Sequence, residues 1–284
     1  MAKMTIRLRL CLLLMAAPLS AMAQNEGQKT DLLTADSIHT NDKDITNAIM
    51  VGIGATQILD TYLSPEKYRG TEVRYLSHTT RERRSSRWSR QIVHQGDIAY
   101  TENRSGDGNE VAGMYGFQYA WHYNWRMAEG RLNIKAGAMV DATVGFVYNT
   151  RNGNNPAQAR AALNVSPSAV AAYRFRLWNR PFLARYEVSA PLAGLMFSPN
   201  YGQSYYEIFT RGNYDHNIVP TTLAATPSLR QMLTIDFTLG RTTLRVGYLG
   251  DMQQAKVNNL KSHTYTHAFV IGIVRTFRIF KIKY

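Results

Sequence analysis

GFQYAWHYNWRM (116–127) puts Phe117, Tyr119, Trp121, Tyr123 and Trp125 on every second position, with Gln118, Ala120, His122, Asn124 and Arg126 between them. Successive side chains of a strand point to opposite faces, so the stretch predicts a ribbon with one aromatic and one polar face. Such a ribbon divides two environments.

The same alternation continues on both sides of it. In the segment 132–149, Leu132, Ile134, Ala136, Ala138, Val140, Val144, Phe146 and Tyr148 share one parity, and Asn133, Lys135, Gly137 and Asp141 take the other. AEGR (128–131) joins the two strands as a tight hairpin with Gly130 at the bend. Further on, Leu163, Val165, Tyr173, Phe175 and Leu177 lead to a bend at 179–181, and Phe182, Ala184, Tyr186 and Val188 return. Leu233, Ile235, Phe237 and Leu239 end at GRT (240–242), after which Leu244, Val246 and Tyr248 climb back. Between these short turns lie longer polar connections at 151–158, near 199–229 and at 253–262. Short turns at one end and long loops at the other predict an all-β fold, a closed antiparallel transmembrane β-barrel. Ten strands are expected, near 48–59, 71–82, 88–102, 111–127, 131–149, 160–178, 181–197, 230–240, 243–252 and 263–282. Twelve result if Tyr201, Tyr205, Tyr206 and Phe209 form one more short pair.

Charge parity tests this reading. A Lys or Arg facing lipid at mid-bilayer costs about 2–4 kcal/mol, so a lipid-facing register should hold almost none. Arg126, Lys135, Asp141, Arg174, Arg185, Glu187, Asp236 and Arg245 all fall on the non-aromatic register of their strands, and with His122 they are the expected lining of the lumen. The last strand is the exception, because Arg275 shares parity with Phe269, Ile271 and Ile273, whereas Phe280 and Ile282 have the other parity. A bulge between Ile273 and Phe280 would reconcile the two sets. A soluble barrel of lipocalin type shows the same alternation with its apolar side inward. Three features favour lipid outside: small Gly and Ala residues on the polar register, Trp88, Trp125 and Trp178 beside short turns, and a chain ending FKIKY (280–284). The tryptophans and Tyr284 are the expected interfacial girdle, and the C-terminal strand the expected signal to the barrel-assembly machinery.

The start of the chain reads as an export signal at 1–23, with Lys3, Arg7 and Arg9 before an apolar core and Ala21-Met22-Ala23 as the cleavage site. A polar stretch at 24–45 reads as a flexible periplasmic extension, and 46–284 as the outer-membrane barrel. Cys11, the single cysteine, lies in the signal, so the exported part has no disulfide or thiolate metal site. The net charge of +13 falls to an excess of ten once Lys3, Arg7 and Arg9 leave with the signal. For an exported protein this excess points to anionic lipid headgroups rather than nucleic acid. The dense basic run RERRSSRWSR (81–90), with Arg131, Arg180, Arg241, Lys281 and Lys283, is expected to form a basic collar at the periplasmic end.

Three stretches, LDTYLSPEKYRG (59–70), YGQSYYEIF (201–209) and GYLGDMQQAKVNNLKSHTYTHAF (247–269), resemble motifs of a Bacteroidetes-type outer-membrane family catalogued as a domain of unknown function. The resemblance covers nearly the whole exported chain. It implies an exported barrel and carries no activity or catalytic residues.

Chemistry-bearing motifs are sparse. There is no G-x-S-x-G elbow, H-E-x-x-H pair or phosphate-binding glycine loop. His78, His94, His263 and His267 are candidate bases without a legible partner, Asp215-His216 is a weak metal-ligand pair, and SGDGNE (105–110) lacks the full calcium-loop spacing. No cofactor or metal is expected. His122, Arg126 and Lys135 have two readings: a cationic constriction that attracts anions, or members of an internal salt-bridge network with Asp141, Glu187 and Asp236. The sequence therefore predicts a monomeric, non-enzymatic barrel with an occluded, charge-lined lumen in a structural or surface-interaction role. Its alternatives are a small anion-selective pore and a membrane-embedded hydrolase.

Overall fold

A computed structural model describes residues 43–83 and 85–279. The export signal, most of the N-terminal extension, FKIKY and Tyr284 lie outside the described residues.

The chain forms twelve strands: β1 (Lys43–Asp60), β2 (Ser64–Arg83), β3 (Trp88–Glu102), β4 (Asn109–Met127), β5 (Leu132–Asn149), β6 (Ala157–Leu177), β7 (Arg180–Ser189), β8 (Ala193–Phe197), β9 (Ile218–Thr222), β10 (Leu229–Leu239), β11 (Thr242–Val257) and β12 (Leu260–Ile279). Ten of them, all except β8 and β9, close an antiparallel ring in which β12 pairs with β1 over the whole of β1. β8 and β9 pair with each other, and β8 continues the rim of β6 beyond the end of β7. They lengthen one hairpin without adding staves. The residues expected to make a twelfth strand are instead a five-residue helix, α1 (Tyr205–Phe209), capped by Ser204.

Hydrogen-bonded partners followed from Asp44 pass through Glu82, Ser89, His122, Gly137, Ser168, Ser189, Arg230, Asp251 and Thr266 and return at Thr56. The ring closes with an offset of twelve residues along β1, from position 44 to position 56. That stagger tilts the strands by about 40° to the barrel axis and leaves an interior that side chains can fill.

Turn chemistry matches the twist of the strands. Trp178 and Asn179 have φ of 49° and 59°, and Asn258 and Asn259 have 50° and 59°. Positive φ at both central residues is the type I′ geometry whose twist suits a two-residue hairpin. The second of these turns corrects an expectation: the polar segment 253–262 is strand, turn and strand, with β11 running to Val257 and β12 starting at Leu260. Residues 43–45, expected to lie in the N-terminal extension, already belong to β1.

No bulge interrupts the described part of β12. Its register with β1 is continuous from Lys43↔Ile279 to Asp60↔Ser262, so Arg275 stays on the outer face with Ile271 and Phe277. Arg275 lies four residues from the end of β12, at the short-turn edge rather than at mid-height.

The outer face is apolar. Ile98 is 68% exposed, Ile53 58% and Val144 57%, and Trp121, Phe146, Tyr186 and Phe269 are exposed beside them. β4 and β5 approach closely at Gly137, where a Cβ would meet the Trp121 carbonyl oxygen at 1.8 Å. Only glycine lets β4 and β5 come together there.

Candidate functional site

The inward register supplies the functional groups, arranged in levels along the barrel. At the short-turn end, Lys135 on β5 is paired with Glu82 on β2. The Arg245 guanidinium makes two parallel bonds to Asp236, 2.6 and 2.8 Å long. Arg185 donates to Glu187 (2.6 Å) and to the Gln91 carbonyl oxygen (2.8 Å), while the Gln91 amide donates to the other Glu187 oxygen (2.7 Å). His122 is buried and contacts the Ser168 hydroxyl at 3.1 Å. Below these groups a vestibule of about 1130 Å³ opens at the short-turn end.

Above them the lumen changes character. Ala48, Met50, Leu76, Met232, Leu249, Ala268 and Val270 point inward from five strands and pack into one cluster, each no more than 2% exposed. The residual space beside it, bounded by His78, Met139, Ser168 and Met232, is about 20 Å³. That holds about one water.

Beyond the apolar layer sits a buried charge cluster. Arg74 donates to Glu72 (2.6 Å) and Asp251 (2.7 Å) and lies 3.3 Å from Asp97. The Thr266 hydroxyl donates to the second Glu72 oxygen at 2.7 Å. Asp141 accepts from the Gln118 amide at 2.8 Å. Nearer the long-loop end, Arg160 binds Asp60 (2.7 Å) and Asn149 binds Glu110 (2.9 Å).

The segment 198–217 packs back onto this mouth. Ile208 of α1 is buried, Tyr205 meets Tyr62 edge to face at 5.8 Å, and the Ala159 N–H donates to the Tyr205 oxygen at 2.7 Å. Burial pushes the Tyr205 phenol up to about 12. The Ser204 N–H (2.7 Å) and hydroxyl (3.1 Å) both donate to Glu207, whose own N–H donates to the Ser204 hydroxyl in a reciprocal cap. These bonds, the backbone one foremost, hold the Glu207 carboxyl below its ordinary range. A depressed carboxylate contributes stability present above its unfolded value and lost as pH falls through the folded one. Amide exchange of residues 204–210, taken relative to the intrinsic rate at each pH, is therefore expected to accelerate below about pH 4. Ser204→Ala should accelerate it at neutral pH by several-fold, in line with a cap worth about 1 kcal/mol. Unchanged exchange in that variant would show that the rest of the loop, not the cap, holds the helix.

Of the lumen residues expected from sequence, His122, Lys135, Arg185, Asp236 and Arg245 are buried on the inward register, and Asp141 and Glu187 are half-buried there. Arg126 and Arg174 share the register but reach the exposed rim, where Arg174 donates to the Gly130 carbonyl at 3.2 Å. The partner of Lys135 is Glu82, from inside the basic run, and not Asp141, Glu187 or Asp236. Parity within β2 would have pointed Glu82 inward, between the exposed Arg81 and Arg83. Trp88, Trp125 and Trp178 are 59%, 42% and 84% exposed at the short-turn end. The four candidate histidines do not converge: His78 is buried in the lumen, His94 and His267 face outward on the phenols of Tyr115 and Tyr248, and His263 contacts Gln57. The Asp215 and His216 side chains pair with each other on an exposed loop while their carbonyls accept from Asn200 and Asn258, and among the described residues no group of three ligating side chains could hold a metal ion. In the 105–110 segment, Asp107 accepts from Ser105, Asn103 and Arg151, which makes it a loop staple.

Similarity to solved structures is low in sequence and partial in shape. The transport unit of the autotransporter AIDA-I from Escherichia coli is 7% identical, with 86% of this chain and 93% of that one covered at a TM-score of 0.43. The outer membrane protease OmpT from Escherichia coli is 7% identical, with 86% and 99% covered at 0.45. The translocator domain of the autotransporter NalP from Neisseria meningitidis is 7% identical, with 95% and 97% covered at 0.36. No curated protein matches the sequence. A family model does match, over residues 6–284, and the chain belongs to the family described as protein of unknown function (DUF3316).

Proposed function

We propose that this protein is a non-enzymatic barrel of a Gram-negative outer membrane, with a closed lumen and a surface-interaction role carried by its long-loop end. The apolar layer of Met50, Leu76, Met232, Leu249 and Val270 carries this reading, because it fills the half of the lumen lined by β10, β11, β12, β1 and β2 and the pocket beside it is only about 20 Å³. Ions crossing such a layer would have to shed their hydration among side chains that offer no ligand in return. The internal charges support the same conclusion. Lys135, Arg185 and Arg245 each have a carboxylate partner, so they complete a filled interior rather than present bare cations to a passing anion.

The membrane assignment rests on the outer face. A continuous belt of exposed Ile, Val, Leu and aromatic side chains far exceeds the few hundred Å² of apolar patch that soluble monomers expose. A closed ring also satisfies every strand edge, which hydrocarbon demands. The short-turn end, where Lys43 and Ile279 are partners, then faces the periplasm. Trp88, Trp125 and Trp178 serve there as the interfacial girdle.

At the opposite end Tyr201, Tyr206, Phe209 and Tyr214 are 59–75% exposed on the 198–217 segment. Aromatic residues presented on a folded loop suit recognition of an external partner. The alternative reading, a small anion-selective pore, draws on the wide vestibule of about 1130 Å³. Planar-bilayer recording separates the two. The closed-lumen reading expects no stable current steps from the folded protein, and anion-favouring steps would overturn it.

A further inference from the structure

A group of outward cations gathers in one sector of the short-turn end. Arg81 on β2 and Arg90 on β3 are directly opposite each other, both on the outward register and both exposed. Arg83 follows on the same face of β2, and its partner on β1 is Lys43. Arg275 faces outward on β12, across from Asn47. The far wall at the same end is apolar: Phe175, Phe182 and Phe237 stack in a row across β6, β7 and β10, with centroids 5.5 and 6.2 Å apart.

Directly opposed residues on neighbouring strands bring their Cβ atoms within about 5 Å, and like charges so placed repel. Among the described residues neither Arg81 nor Arg90 forms an ion pair or a side-chain hydrogen bond. Among the described residues no carboxylate takes a compensating place on the same face: the outward positions of β1 to β4 near them are Ile45, Asn47, Thr79, Trp88, Ile92 and Trp121. Two exposed guanidiniums rooted at opposed positions beside indole rings offer a place for an anion. The forked donors of arginine fit phosphate oxygens, and a phosphate between them would turn the repulsion into two charge-assisted contacts. Trp88, braced edge to face on Tyr123 at 5.4 Å, supplies a ring at the same level for glycerol and upper acyl carbons.

We propose that Arg81 and Arg90 clamp the phosphate of an anionic phospholipid in the periplasmic leaflet, with Arg83, Lys43 and Arg275 widening the basic field around it. The collar expected from sequence is thereby narrowed from a ring of turn residues to one lipid-facing site. This rests on the membrane reading given above, and the experiment separates the two. Folded protein is reconstituted with phosphatidylethanolamine alone or with added phosphatidylglycerol, and lipid retained on the barrel is read by native mass spectrometry. Wild type is expected to retain phosphatidylglycerol in preference to phosphatidylethanolamine. The Arg81→Gln/Arg90→Gln variant should lower that preference roughly thirtyfold, as two cations at an anionic surface would. Arg81→Lys/Arg90→Lys should fall between the two. Arg180→Gln/Arg241→Gln, altering exposed turn cations on the far side, should leave it unchanged. An equal loss in both Gln pairs would overturn the site in favour of a diffuse collar, and no loss in either would overturn it outright. Failure of wild type to enter phosphatidylethanolamine bilayers would instead overturn the membrane reading, and the lipid site with it.

Discussion

Arg74→Ala should unfold the barrel far more readily than any other single change in the lumen. Arg74 is 3% exposed and is the hub of three carboxylates, with Glu72 and Asp251 bonded to it and Asp97 at 3.3 Å. Truncating it leaves those carboxylates facing one another in a buried site bordered on its short-turn side by Leu76 and Leu249. Breaking a buried ion pair from one side typically costs about 3–5 kcal/mol, because the remaining charge is stranded. Urea unfolding of the refolded protein in detergent, followed by tryptophan fluorescence, should place the variant lower by that amount. Asp251→Asn keeps a hydrogen-bond acceptor for Arg74 and should cost less. If Arg74→Ala lowered stability by under 1 kcal/mol, water must reach the cluster freely, and the lumen is not closed.

The second large effect is a gain of function. Leu76→Ala/Leu249→Ala removes two large side chains from the apolar layer, both fully buried in the native barrel. In a sealed core each such truncation costs about 2–5 kcal/mol, partly through the cavity left behind. Here space of about 110 Å³ lies on one side and about 1130 Å³ on the other, so the opening can hydrate and join the two. Planar-bilayer recording should then show current steps that wild type lacks, while the folded variant keeps its migration shift on boiling in detergent gels. A variant that folds but stays silent would place the seal elsewhere, at the 198–217 segment over the loop-side mouth.

Much of the architecture was legible because one physical rule, period-two alternation against a lipid-like exterior, acts on every stave. β4, β5, β6 and β10 follow it cleanly, and their limits match expectation within a few residues. β2 is harder to read for a concrete reason. Its inward positions include the apolar Tyr68 and Leu76 among Glu72, Arg74 and His78, while its outward positions include Ser77, Thr79 and Arg81. Hydropathy on the two faces nearly cancels, so neither the Arg74 hub nor the apolar layer could be read there. The hub also joins Arg74 to Asp251, 177 residues away, a pairing fixed by ring closure and not by local pattern. The segment 253–262 was misread for a related reason: β11 and β12 rise beyond the apolar belt, where both faces carry polar residues such as Gln253, Gln254 and Lys256. The bulge expected in β12 would have brought Phe280 and Ile282 to the face of Ile271, but through Ile279 the ladder is unbroken and Arg275 stays outward at the short-turn edge.

The continuous ladder between the first and last staves has a further consequence. Lys43 and Ile279 are cross-strand partners, so the two ends of the described chain arrive side by side, and no stave is special as a start or a finish. Joining those ends and severing the connection at 150–156 would leave every rung intact. A circularly permuted chain should therefore reach the same barrel, by a route that zips a different seam last.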